Sequence, residues 1–327
     1  MRSSSPLVAV ACLVAACAGA RARSTSTSPS VAEAFVTSNV ARADYVGSEA
    51  CKPCHAELFA RWQKSPMHAM TRSADHAEIR APFDGRSLHF KGDAATLETV
   101  DGARYLRLTS KFGDGLFRVT KVIGGHHRED FAGVAVSAER ADAVVGDPHR
   151  ELVLPVSYMI ATGELRYKGY SVMATERPGM KPGPVWSQTC IFCHNTEPYL
   201  TTILGALETK RSRGYQGVVI DALLPNDRRQ RFVVDDEPAL RRAIGLETSL
   251  LGASLDLDRP LADLLADAKT ATRTRFDETK LVEIGIGCEA CHGGGREHVE
   301  DPHKHPSLAP TSPMLHPAGF GLGTGHD

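Results

Sequence analysis

The chain has 327 residues, enough for one large domain or two modest ones, and its apolar fraction of 42% is sufficient for a packed core. Its 38 lysines and arginines nearly balance its 39 aspartates and glutamates, so the composition carries no electrostatic signature for nucleic acid or an anionic membrane surface. We therefore expect a partner to be recognised by local patches.

The first 20 residues have the composition of an export signal. One positive side chain precedes an apolar run, Leu7 to Ala16, that is too short to span a bilayer, and small residues follow. Two cleavage sites fit: a lipoprotein-type site that would leave an acylated Cys17 first, or an ordinary site near Ala18 to Ala20. A Ser/Thr/Ala-rich tether over 21–44 follows. Both routes predict a protein on the periplasmic side of a bacterial membrane, lipid-anchored or soluble.

Three copies of the pattern C-x-x-C-H carry the chemistry of this sequence. One helical turn places the two thiols on the same face, where each can add to one vinyl group of a haem, and the adjacent imidazole can bind the iron. Three copies predict three covalently attached c-type haems. The residues are Cys51, Cys54 and His55; Cys190, Cys193 and His194; and Cys288, Cys291 and His292.

Two other readings of these cysteines are less favoured. Pairs of C-x-x-C build structural zinc sites, but such a site does not need a histidine directly after every second cysteine. A disulfide framework has cysteine spacings that vary with loop geometry, not one repeated pentapeptide. The remaining two cysteines, Cys12 and Cys17, lie in the leader.

A short amphipathic helix is predicted after the first motif, from Ala56 to Lys64, and Pro66 ends it. His68 follows. A nine-residue helix advances the chain by roughly 14 Å, so we expect His68 to bind the iron of a neighbouring haem instead of the haem at His55. The alternative is a surface histidine on a turn.

From Ser87 to Ile123 the apolar residues alternate with polar ones, and Asp-Gly pairs lie between the runs. This pattern predicts a small antiparallel meander. It ends in two glycines that would let backbone approach a flat cofactor, followed by His126 and His127. One of these histidines is a second candidate distal ligand, and a solvated polar turn is the alternative.

The remaining elements are predicted from spacing alone. Glu151 to Tyr170 indicates two strands, and Val218 to Ile220 and Arg231 to Val234 indicate two more. The segments Pro238 to Gly252 and Pro260 to Ala271 indicate two helices.

After the third motif, three glycines precede His298, the third distal candidate. The segment 301–327 is rich in Pro, Gly and His and is predicted to be a tail, in which His303 and His305 are expected to be solvated.

The stretch from Tyr45 to Val299 resembles the bacterial multihaem cytochromes with doubled C-x-x-C-H motifs. The shared features are YVGSEACKPCH with Trp62, Ser65 and His68 after it, ELVLPVSY, CIFCHN after Trp186, and GCEACHGGGREH. That group includes the tetrahaem cytochromes that take electrons from hydroxylamine oxidoreductase. The resemblance implies mostly bis-histidine haems in close pairs, with His68 and His298 at positions that supply distal ligands; His126 or His127 matches less securely.

The expected fold class is α+β: a multihaem cytochrome c domain over 45–300, with short helices around covalent haems, a small antiparallel meander and little regular secondary structure. The expected function is electron transfer between redox partner proteins or other cytochromes. One alternative is a haem enzyme with one open-site haem that acts on a small nitrogen or oxygen compound, and another is a haem-bearing scaffold. No acid/base group beside a motif predicts catalysis.

Overall fold

The computed structural model describes residues 34–168, 178–206 and 232–317. The predicted signal peptide with Cys17, the tether up to residue 33, the strand predicted at 218–220 and the last ten residues of the predicted tail lie outside these ranges. In the described ranges no helix is long and apolar enough to cross a membrane.

Twelve strands are present in the described part of the chain, and eight of them form one antiparallel sheet in the order β3-β4-β5-β6-β7-β8-β9, with β2 on β6. The strands are β1 (Ala34–Phe35), β2 (Thr71–Ser73), β3 (Asp84–Phe90), β4 (Asp93–Val100), β5 (Ala103–Thr109), β6 (Gly115–Gly124), β7 (Arg128–Val136), β8 (Leu152–Met159), β9 (Glu164–Tyr167), β10 (Phe232–Val234), β11 (Lys304–His305) and β12 (Leu315–Pro317).

The large sheet curls until its two end strands meet. The rings of Phe90 in β3 and Tyr167 in β9 stack with their centres 4.4 Å apart. The concave side encloses the largest apolar cluster, in which Phe131 is fully buried and meets Phe83 edge-on at 5.4 Å. The sheet therefore supplies the main core of the protein.

The expected fold class, with short helices around haems and only a small meander, is wrong. The meander extends through seven consecutive strands from β3 to β9. The extension was missed because β7 is buried along nearly its whole length and has no polar alternation to reveal it. Among the described helices only two exceed eight residues.

The helices of the described part are α1 (Ala56–Gln63), α2 (Ile191–His194), α3 (Tyr199–Ala206), α4 (Glu237–Leu250), α5 (Leu261–Arg275), α6 (Cys288–His292) and α7 (Arg296–Glu300). The predictions of α1, α4, α5 and the strand pair β8 and β9 are confirmed. Asp236 caps the start of α4, because its carboxylate accepts a hydrogen bond from the N–H of Ala239 at 2.9 Å.

A second apolar cluster joins both ends of the described chain to these helices. Leu315 and Met314 are buried against Leu240 of α4 and Leu264 of α5, and Val40 joins them. Strand β11 pairs in parallel with β1, and β12 pairs with β10. The described parts of the predicted tether and tail, 34–44 and 301–317, are therefore packed segments: Val40, Met314 and Leu315 enter this core, while Phe35 and Leu308 stay exposed.

Candidate functional site: three C-x-x-C-H turns

All three motifs fold as the helical turn that their spacing predicts. The N–H of His55 donates to the carbonyl of Cys51 at 2.9 Å, and the N–H of His194 donates to that of Cys190 at 3.2 Å. The third motif is helix α6 itself. All six motif cysteines are free of disulfides. Each motif thus presents two reduced thiols and a following imidazole.

The first and third motifs lie against each other. The N–H of Cys288 donates to Ser48 Oγ at 2.8 Å, three residues before Cys51. The neighbouring Cys51 thiol is the main cause that lowers the pKa of Cys288 to about 6, and Cys288 in turn raises the pKa of Cys51. The first and third motifs, far apart in the sequence, therefore lie close together.

His298, a predicted distal ligand, lies beside the histidine of the first motif. The ring centres of His55 and His298 are 6.1 Å apart and the rings are inclined by 24°. Two imidazoles on opposite sides of one metal, each bound at about 2.0–2.1 Å, have ring centres roughly 6 Å apart. Nδ1 of His298 donates to the carbonyl of Lys304 at 2.8 Å, which leaves Nε2 for a metal. The distance between the two ring centres is therefore that of two imidazoles that share one metal.

The second motif lies in an apolar cluster below the sheet. Ile191 and Trp186 are fully buried there, and Phe192 stacks on Phe276 at 5.5 Å. Burial raises the pKa of Cys190, and burial, followed by the charge of Lys168, lowers that of His194. A histidine held neutral is in the form that binds a metal.

His68 lies beside the segment that leads into the third motif. Its ring meets Trp62 edge-on at 4.5 Å, and the indole N–H of Trp62 donates to the carbonyl of Ile286 at 2.8 Å. A Cβ on Gly285, where φ is +82°, would be 2.2 Å from the carbonyl oxygen of His68. His68 thus lies between the helix that follows the first motif and the segment that precedes the third. Its role as a ligand stays a prediction.

His126 and His127 are exposed on the turn between β6 and β7, where their rings are hydrogen-bonded to each other at 2.9 Å. The glycines before them leave room for another side chain of this protein, because a Cβ on Gly125 would be 2.8 Å from the guanidinium of Arg72. Gly294, after the third motif, is likewise close to Asp44, at 2.6 Å. The close approach expected of both glycine runs is therefore made to this chain's own atoms.

One buried carboxyl beside the second motif gave no signal in the sequence. Glu197 is 8% exposed; its Oε1 accepts from Thr202 Oγ1 at 3.1 Å, and its Oε2 has no hydrogen-bond partner in the described part of the chain. Burial raises the pKa of Glu197 to about 8. In the same ranges no three His, Cys, Asp or Glu side chains converge to hold a metal ion.

Comparisons with known proteins assign no family to this chain. No family model matches the sequence, and no curated protein matches it. A solved structure to which the chain is similar is described as the outer cell wall cytochrome OcwA. The two share 14% identity at a TM-score of 0.37, and the match covers 86% of this chain but 41% of that one. The chain thus spans less than half the length of that cytochrome.

Glu197 makes stability depend on pH in a predictable direction. In the unfolded chain this carboxyl ionises near pH 4.5, whereas in the folded protein it keeps its proton to about pH 8. Stability should therefore fall as pH rises through this window, by roughly 2–4 kcal/mol, and level off above it. Glu197→Gln should remove this loss, as measured by denaturant unfolding at about pH 5 and about pH 9. Glu57→Gln, on the exposed face of α1, should retain it, and equal slopes in the two variants would contradict the assignment.

Proposed function

We propose that the protein is an exported multihaem c-type cytochrome that transfers electrons through three covalently bound haems. The observation that carries the proposal is the folding of all three C-x-x-C-H motifs as helical turns with free thiols. A bound haem would supply an iron that alternates between the ferric and ferrous states. The chain's part is to attach it, bind the iron and control solvent access.

The residues present fit this cofactor at two sites in different ways. At the first motif, the spacing of His55 and His298 matches two ligands of one metal, and the Nδ1 hydrogen bond fixes the orientation of His298. At the second motif, burial keeps His194 neutral, and its Nδ1 is buried without a partner in the described part of the protein. The third motif joins the first through Cys288.

We further propose that His298 is the distal ligand at the first motif. For the other two sites we propose His68 and one of His126 and His127 as distal ligands. His68 is supported by its place near the third motif. The histidine pair is supported by the sequence pattern alone. With both axial positions filled, only an electron would be exchanged, so the partners would be redox proteins or other cytochromes. The competing function is a haem enzyme in which one axial position stays open.

Covalent haem loading is the first test. Protein made with a cytochrome c maturation system should carry three haems in a denatured mass spectrum, and acid-acetone should extract none of them. Replacing both Cys190 and Cys193 by alanine should remove one haem and leave two, because each motif attaches its own cofactor. Extractable haem, or zinc in its place, would refute the proposed function.

The ligand assignment is tested by His298→Ala. Wild-type protein should be low-spin at every haem and should not bind carbon monoxide when reduced. The variant should gain one high-spin signal and bind one equivalent of carbon monoxide, since no imidazole then faces His55. His303→Ala, an exposed histidine on the same segment, should behave as wild type. Stoichiometric carbon monoxide binding by the wild type would favour the enzyme instead.

The location follows from the leader, in which Val14-Ala15-Ala16-Cys17 matches a lipoprotein cleavage site. We propose that the mature protein starts at an acylated Cys17 and partitions with membranes. Cys17→Ser should then release it into the soluble periplasmic fraction, as measured by fractionation and mass spectrometry of the N-terminus. A native N-terminus near Arg21 would mean ordinary cleavage, with export unchanged.

A further inference from the structure

Two carboxylates at the third motif bind the backbone that leads into the first. Glu289, inside the third motif, accepts hydrogen bonds from the N–H groups of Val46 at 2.9 Å and Gly47 at 2.7 Å. Glu283 accepts from the N–H of Ser48 at 2.8 Å and from its hydroxyl at 2.8 Å. Three consecutive N–H groups before the first motif are therefore held by carboxylates from beside the third.

Glu289 is an unusual residue for this place because it is only 3% exposed. A buried carboxylate is stable only when it is fully hydrogen-bonded, and Glu289 also accepts from the N–H of Gly295 at 2.8 Å. Its two oxygens thus bind both the approach to the first motif and the glycine run after the third. Such a network has one low-energy arrangement, so it fixes the two segments relative to each other.

This network lies between Cys51 of the first motif and Cys288 of the third. Ser48 connects the carboxylates to them, since its hydroxyl donates to Glu283 and accepts from the N–H of Cys288. Glu283 also excludes a side chain at Gly287, where a Cβ would be 1.8 Å from its Oε1. Cys190 has different neighbours, Thr189 and the apolar cluster.

We propose that Glu289 and Glu283 are positioning residues that hold the first and third haem attachment sites together at Cys51 and Cys288. The haems on these two sites then form an interacting pair. This inference rests on the proposed function, and it adds which sites are paired and which side chains pair them. Loss of either carboxylate should weaken the interaction between two haems without releasing them, because the thioether bonds remain.

The test is electron paramagnetic resonance of the oxidised holoprotein, after mass spectrometry has counted its haems. In the wild type the signal of non-interacting low-spin haem should integrate to one haem at most, because the two paired haems broaden each other's signals. In Glu289→Gln it should rise by up to two haems, because glutamine turns an acceptor oxygen into a donor that faces backbone N–H groups. Glu129→Gln is the matched control: Glu129 is fully buried and accepts from the N–H groups of Arg80 and Ala81, and this variant should keep the wild-type value.

Ser48→Ala provides a milder variant if Glu289→Gln loads fewer haems, and its signal should rise in the same direction. Three covalent haems that all integrate as non-interacting in the wild type would overturn the inference and leave the proposed function intact. If the signal of non-interacting haem rose equally in the Glu289 and Glu129 variants, the proposed positioning role of Glu289 and Glu283 would be wrong. Fewer than three covalent haems in the wild type would instead count against the proposed function.

Discussion

Glu289 accepts hydrogen bonds from Val46, 243 residues before it, and from Gly47, 242 residues before it. The large sheet, the second motif and the described helices α1 to α5 all lie within the loop that this contact closes. Ordering so long a loop costs conformational entropy, although the cost grows only slowly with length. The packing of the first and third motifs therefore depends on a few buried hydrogen bonds, which the core between them must support.

The three motifs share one local structure but lie in different surroundings. The turn at the first motif is exposed at Cys54 and His55, and Cys291 and His292 of the third are also exposed. At the second motif Cys193 is exposed as well, but His194 is half-buried and the neighbouring Ile191 and Trp186 are fully buried. Solvent exposure and burial are among the means by which a protein adjusts a haem. One pentapeptide therefore does not produce three equal sites in this protein.

Local signals in the sequence identified the local elements. The three motifs, helix α1 and the helix pair α4 and α5 follow from spacing within one short segment, and the structure has the helices where they were expected. Strand β7 was missed because a strand buried on both faces lacks alternation. The packing of Met314 and Leu315 was hidden by a composition rich in Pro, Gly and His, which suggests a tail even when two apolar residues enter the core.

The candidate site could be predicted only in part, since its contacts are long-range. His298 was identified as a ligand candidate, but no local pattern indicates that it lies beside His55. Glu289 gave no signal, because either intervening position of C-x-x-C-H accepts many side chains and its partners are backbone N–H groups far away. The side-by-side arrangement of Cys51 and Cys288 is likewise a property of the tertiary structure alone.

The place of His298 also has a consequence for the order of assembly. A ribosome makes His55 early and His298 near the end, and on export, which is part of the proposed function, the chain would emerge in the same order. A haem attached to Cys51 and Cys54 during export would thus have His55 on one side of its iron and no partner on the other until the last segment arrives. The newborn protein would pass through a stage with a reactive iron that the finished protein closes.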